Sequence, residues 1–197
     1  MVVMTELREL AAKDLAAALA AANGKPVARA RCQALAWVAR YGPQDRVAEI
    51  ARTALAAAQE ADDPYHSLSA SAWPLRALIE RGHSQAADAA VGPLLVQSEL
   101  VQPMASRSEG LFLVFQAIVA GEGSLWRTVL EALIAASTPP RYWRQGRNIR
   151  DAVLIVAGRD AALASHTAAR LEDAKLRGRL QRKLAAGVSA EPRTFFW

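Results

Sequence analysis

Cysteine is the scarcest functional residue in this chain of 197: Cys32 stands alone. A single thiol excludes an intramolecular disulfide and any cysteine-rich zinc site. It lies in an apolar stretch and reads as a small buried hydrophobe rather than a reactive group. Such cysteine usage goes with a reducing, cytoplasmic setting. Aromatic residues are only 6% of the chain, β-branched residues are sparse, and no segment alternates apolar and polar positions long enough for a sheet. No uncharged apolar run approaches membrane-spanning length. Near the start, Glu6, Arg8, Glu9, Lys13 and Asp14 interrupt any apolar core of a secretory leader. His66, His83 and His166 stand far apart with no acidic cluster nearby, so neither a metal site nor a nucleophilic triad is expected. Gly121-Glu122-Gly123 lacks the Lys-Ser/Thr of a phosphate loop and reads as a turn. No cofactor and no catalytic residue follow from the sequence.

What the chain has instead is alanine. Apolar residues make up 52%, and runs such as Ala16 to Ala22 and Ala54 to Ala58 supply much of that share. Alanine is the best helix former, so the composition predicts an all-α protein. Charge is distributed unevenly. Residues 1–100 hold 10 Lys/Arg against 11 Asp/Glu, and residues 101–197 hold 14 against 8. Between Arg141 and Lys183 the balance is 11 against 4, a local +7 that exceeds the whole-chain +5. The basic character belongs to the last quarter of the sequence.

Two punctuation series reveal a repeat. Pro26, Pro64, Pro103 and Pro140 are spaced by 38, 39 and 37 residues, and Gly42, Gly82, Gly121 and Gly158 by 40, 39 and 37. The glycines trail the prolines by 16, 18, 18 and 18 residues. Proline suits the first turn of a helix and glycine the position just past its end, where positive φ is tolerated. Each unit therefore reads as proline, helix A, glycine turn, helix B. Ala39, Ile79, Ile118 and Ile155 stand three residues before the glycines, Val38, Leu78, Ala117 and Leu154 four before, and Leu35, Leu75 and Val114 seven before. That is one buried helical face, with Asp151 the departure in the last unit.

The expected organisation is an N-terminal capping helix within 1–25, helix-pair units at 26–63, 64–102, 103–139 and 140–187, and a tail at 188–197 ending Phe195-Phe196-Trp197, all in one domain. Thr5 to Ala22 reads as one amphipathic helix. Trp73-Pro74 predicts that its helix starts late, near Pro74, or bends in its first turn. Gly92-Pro93 predicts a kink or restart in its own helix. After Gly158 a single long helix is expected toward Leu184.

Asp63-Pro64, then Trp73, Leu75, Leu78 and Ile79, then Gly82 and Ala86, resemble bacterial TPR-like and HEAT-like α-α repeats of the longer kind. The resemblance covers roughly residues 26–174. It implies a right-handed α-α superhelix that holds a partner in its groove, and it is silent on activity. The period is longer than the TPR value of about 34 and nearer the HEAT range of about 40–47, and both subtypes stay open.

The candidate binding surface is Arg141, Tyr142, Trp143, Arg144, Arg147 and Arg150, where cations interleave with aromatic rings. Arg107 holds the same repeat position as Arg144 and extends the stripe by one unit. The plain alternative is a solvated loop with Trp143 packed between repeats. A second basic segment, Lys175, Arg177, Arg179, Arg182 and Lys183, reads as the polar face of a capping helix or as an attraction for nucleic acid. Asp151 is expected to pair with Arg147 at i,i+4. The first functional reading is a non-catalytic scaffold for a protein partner, with a basic end that favours an anionic one. The second is nucleic-acid binding, with the HEAT-like alkylpurine DNA glycosylases as a remote resemblance in helical architecture and charge. A regulatory solenoid module within a sensor or immunity system is the third. No membrane partner is expected, and the oligomeric state is open.

Overall fold

A computed structural model describes residues 4–138 and 142–196. The protein is all-α, 76% helical, with eleven α-helices and no strand among the described residues. They are α1 (Met4–Lys13), α2 (Leu15–Asn23), α3 (Ala28–Tyr41), α4 (Val47–Gln59), α5 (Pro64–Glu80) and α6 (Ser84–Ser98). There follow α7 (Met104–Ile118), α8 (Trp126–Ser137), α9 (Trp143–Ala157), α10 (Ala161–Ala169) and α11 (Ala174–Ala185). Helices α3, α5, α7 and α9 pack in series, each on the next, and each also packs on the helix that follows it in sequence.

The prolines sit where helices begin. Pro26 lies two residues before α3, Pro64 opens α5, and Pro103 immediately precedes α7. At α5 the Asp63 carboxylate accepts from the Tyr65 and His66 amides at 2.7 and 3.0 Å, satisfying two of the helix's orphan donors. Pro140 lies outside the described residues. The glycines work by more than one device. Only Gly82 of the four has a positive φ, 76°. At Gly121 the requirement is room, because an added Cβ would stand 2.5 Å from Ile79 Cδ1.

Long-range hydrogen bonds recur at the period of the proline and glycine series. Arg81 donates to the Arg40 and Gly42 carbonyls at 2.7 and 3.0 Å, and Arg159 donates to those of Val119 and Gly121. Asn148 donates to Ser108 Oγ at 3.1 Å across 40 residues, and Gln59 to Gln97 at 3.0 Å across 38. Arg170 reaches Glu131 across 39. Each contact joins residues 38–41 positions apart in sequence.

Four expectations are corrected, and local chemistry explains each. The N-terminal segment is two helices, broken at Asp14, whose carboxylate caps α2 by accepting from Ala17 N at 3.0 Å. The segment after Gly158 is also two helices. Asp160 caps α10 through Leu163 N and Asp173 caps α11 through Leu176 N, both at 2.9 Å. Aspartate competes for backbone amides and so starts helices rather than continuing them. The other two corrections concern proline. Helix α5 begins at Pro64, not near Pro74, and runs through a buried Pro74, and α6 continues through an exposed Gly92-Pro93 without restarting.

The tail does not hang free. Ala190 N donates to the Leu154 carbonyl at 3.0 Å, and Arg193 N to Gln116 Oε1 at 2.9 Å. Phe195 meets Trp73 edge-on with centroids 5.7 Å apart, and Phe196 meets Trp73 and Trp37, both at 5.5 Å. The segment 188–196 thus crosses α9, α7, α5 and α3 in turn. Phe195 is 1% exposed and Phe196 7%. Trp197 lies outside the described residues.

Candidate basic cleft between α9 and α11

The two basic segments, some thirty residues apart in sequence, come together. Helices α9 and α11 pack on one another, and between them lies a cleft of about 810 Å³. Arg147 and Arg150 line it from α9, with Lys175, Arg179, Arg182 and Lys183 from α11. Tyr142, Trp143 and Gly146 form part of the α9 side, and Leu176, Leu180, Ala186 and Val188 supply apolar wall. Asp173 is the one carboxylate in the lining, and its Oδ1 is already engaged in capping α11.

The placement of the cations follows from helix periodicity. Lys175, Arg179, Arg182 and Lys183 are spaced i, i+4, i+7 and i+8, which puts them on one face of α11. Leu180 is fully buried against the core and fixes the rotation of that helix. On α9, buried Ile149, Val153 and Val156 do the same. Gln145 locks the start of α9 by accepting from Tyr142 N at 3.1 Å and donating to the Ala136 carbonyl at 3.0 Å. Trp143 is held outward on that turn at 69% exposure, and Tyr142 is 58% exposed. Trp37 and Trp126 by contrast are buried. The Arg144 and Arg147 guanidiniums lie 5.7 and 5.2 Å from the Trp143 ring centroid, within cation–π range.

The sequence-derived site residues divide. Tyr142, Trp143, Arg147 and Arg150 line the cleft. Arg144 stands beside it, over the Trp143 ring and 3.8 Å from Glu109. Arg107 does not extend the stripe: its side chain is 12% exposed and bound to the Glu99 carboxylate and carbonyl. Arg141 lies outside the described residues. Asp151 pairs with Arg150, not Arg147, through Nε to Oδ1 at 2.7 Å, and it is not part of the cleft lining. Trp143 is not packed between units. Gly146, Leu176 and Val188 belong to this surface without any sequence signal that points to them. Of the α11 cations, Arg177 donates to the Leu171 and Glu172 carbonyls, while Lys175, Arg179, Arg182 and Lys183 share one cleft with those of α9. Their i, i+4, i+7 spacing is visible in the sequence, but nothing there says that α11 folds back beside α9.

Cys32 is fully buried, and that burial pushes its thiol up to about 12. No group of three or more His, Cys, Asp or Glu that could hold a metal ion occurs among the described residues. No described helix is long and apolar enough to cross a membrane. Compared with protein-family models, curated proteins and solved structures, the chain matches none.

Proposed function

We propose that this protein is a short right-handed α-α superhelix of the HEAT-like or TPR-like kind, with repeats at 26–63, 64–102, 103–139 and 140–187. In this reading it is a non-catalytic scaffold that binds an anionic macromolecular partner in the cleft between α9 and α11. The recurrence of inter-unit hydrogen bonds at 38–40 residues supports the repeat architecture. The concave face of such a stack is its usual partner site, but here the chain's own segment 188–196 lies across α3, α5, α7 and α9. The cleft between α9 and α11, of about 810 Å³, is then a recess left open to a partner. The observation that carries the reading is the convergence of six cations around one carboxylate in that cleft. Arg147, Arg179, Arg182, Lys175 and Lys183 make no ion pair within 4 Å among the described residues. Unneutralised like charges held close destabilise the free protein, and an anionic ligand relieves that repulsion.

Retention on a heparin column tests the assignment. The wild type should be retained and should elute as salt rises, because exposed charges are screened beyond about 8–10 Å. Arg147→Gln/Arg179→Gln/Arg182→Gln should elute much earlier with an unchanged circular dichroism spectrum. Equal retention of the two proteins would remove the cleft as the working surface.

A further inference from the structure

We infer that the anionic partner is a single-stranded nucleic acid, with its backbone along the α11 cations and a base stacked on Trp143; this rests on the cleft being the working surface. Charge alone does not choose among anions, but the other features of the lining do. An acidic protein segment needs cations and hydrogen-bond donors but no flat apolar platform. The cleft offers one, since Trp143 at 69% exposure and Tyr142 at 58% are the two most exposed aromatic side chains among the described residues. Burying neither in the core, the fold leaves both rings beside the cations, the combination that grips a backbone and stacks its bases without regard to sequence.

Dimensions narrow the choice further. The cations line the walls of a recess of about 810 Å³, rather than standing on a ridge that could enter a duplex groove. A recess of that size admits a few nucleotides of one strand and not a duplex. Along α11, residues four apart are separated by about 6 Å of axis, comparable to the step between phosphates of an extended strand. Lys175, Arg179 and Arg182 or Lys183 thus mark three successive positions, two such steps from end to end. The apolar wall of Leu176, Ala186 and Val188 suits base faces rather than carboxylates. Gly146 leaves depth opposite it: a Cβ added there meets no atom within 4 Å.

The test is a set of equilibrium titrations by fluorescence anisotropy, using the full chain. The probes are a mixed-sequence single strand of about 12 nucleotides, within the range that one single-strand-binding module covers, its duplex, and polyglutamate of similar charge. The single strand should bind best. Its log Kobs should fall with log salt at a slope of about −3 to −4, the value for four to six phosphate contacts at about 0.7 each. Trp143→Ala should weaken the single strand by about 5- to 150-fold, one lost base stack, and leave polyglutamate within about twofold. Gly146→Leu, whose Cβ meets no atom within 4 Å, should weaken the single strand by filling the recess, with an unchanged circular dichroism spectrum as the check on folding. If polyglutamate binds as tightly as the single strand and Trp143→Ala changes neither, the inference fails while the cleft assignment stands. If the duplex outcompetes the single strand, the inference also fails. If no probe binds above the Arg147→Gln/Arg179→Gln/Arg182→Gln background, both readings fall together.

Discussion

Pro74 removes the amide that would have bonded the Ala70 carbonyl one helical turn back, yet α5 continues through it without a break. The compensation comes from another helix, α3: Cys32 Sγ lies 3.4 Å from that carbonyl and donates to it. The lone cysteine thus serves as a weak hydrogen-bond donor. Its pKa is raised above the unfolded value of about 8.5, up to about 12. The stability it contributes is therefore complete below about pH 8.5 and is lost as pH rises from there toward 12. Native protein should resist alkylation by iodoacetamide at pH 8 and react once unfolded; rapid labelling of the folded chain would contradict the buried assignment. Glycine offers a pair of opposite effects at the same scale. Gly110 packs against buried Leu68, where a Cβ would stand 2.7 Å from Leu68 Cδ2, so Gly110→Ala should destabilise by about 1–3 kcal/mol. Gly146→Ala meets nothing and should stabilise by up to about 1 kcal/mol, the difference in helix propensity. Denaturant midpoints should move in opposite directions. Nothing in the sequence distinguishes these two helix-interior glycines, because the difference lies in what the neighbouring helix brings up against them.

At the scale of elements, proline and glycine punctuation makes the starts of α5 and α7 and the four turns legible in the sequence itself. The extra breaks at Asp14 and Asp173 are hidden because the alanine-rich sequence around them promotes helix so strongly. The aspartate three residues before Ala17 and Leu176 is nonetheless a readable cap. The course of segment 188–196 is not legible at all. Its partners, Leu154, Gln116, Trp73 and Trp37, are scattered over more than a hundred residues and share no pattern with it. Burial of Phe195 and Phe196 is the energetic reason for the docking. Phe195→Ala/Phe196→Ala should release this segment while the helices stay folded, since the released segment makes no helix–helix contact of its own. Tryptophan emission should then shift to the red as Trp73 and Trp37 lose their cover. The amides of Ala190 and Arg193 should lose hydrogen-exchange protection. An unshifted spectrum would mean that the two rings do not cover those tryptophans.

At the scale of the whole molecule, the proposed serial stack would draw much of its stability from contacts between nearest units. Ile118, 2% exposed at the end of α7, belongs to the face repeated in every unit. Ile118→Ala should cost about 2–5 kcal/mol, as for other large-to-small changes at buried sites. A midpoint shift too small to resolve would show that the helical register is wrong. In the proposed stack the last unit has only one neighbour, and the chain concentrates its positive charge there. That asymmetry is plain in the sequence as a local +7, but its meaning is not, because solvated arginines and a convergent cleft look alike until helices are placed. Mapping where an anion lands is thus the most direct test of the cleft. Heteronuclear NMR of labelled protein, titrated with a short single strand at low salt, reports each site separately. The Trp143 indole and the amides of Gly146, Lys175, Arg179 and Arg182 should shift first and together, with α3 and α4 undisturbed. Shifts spread evenly over all basic residues, or confined to the first two units, would contradict the assignment.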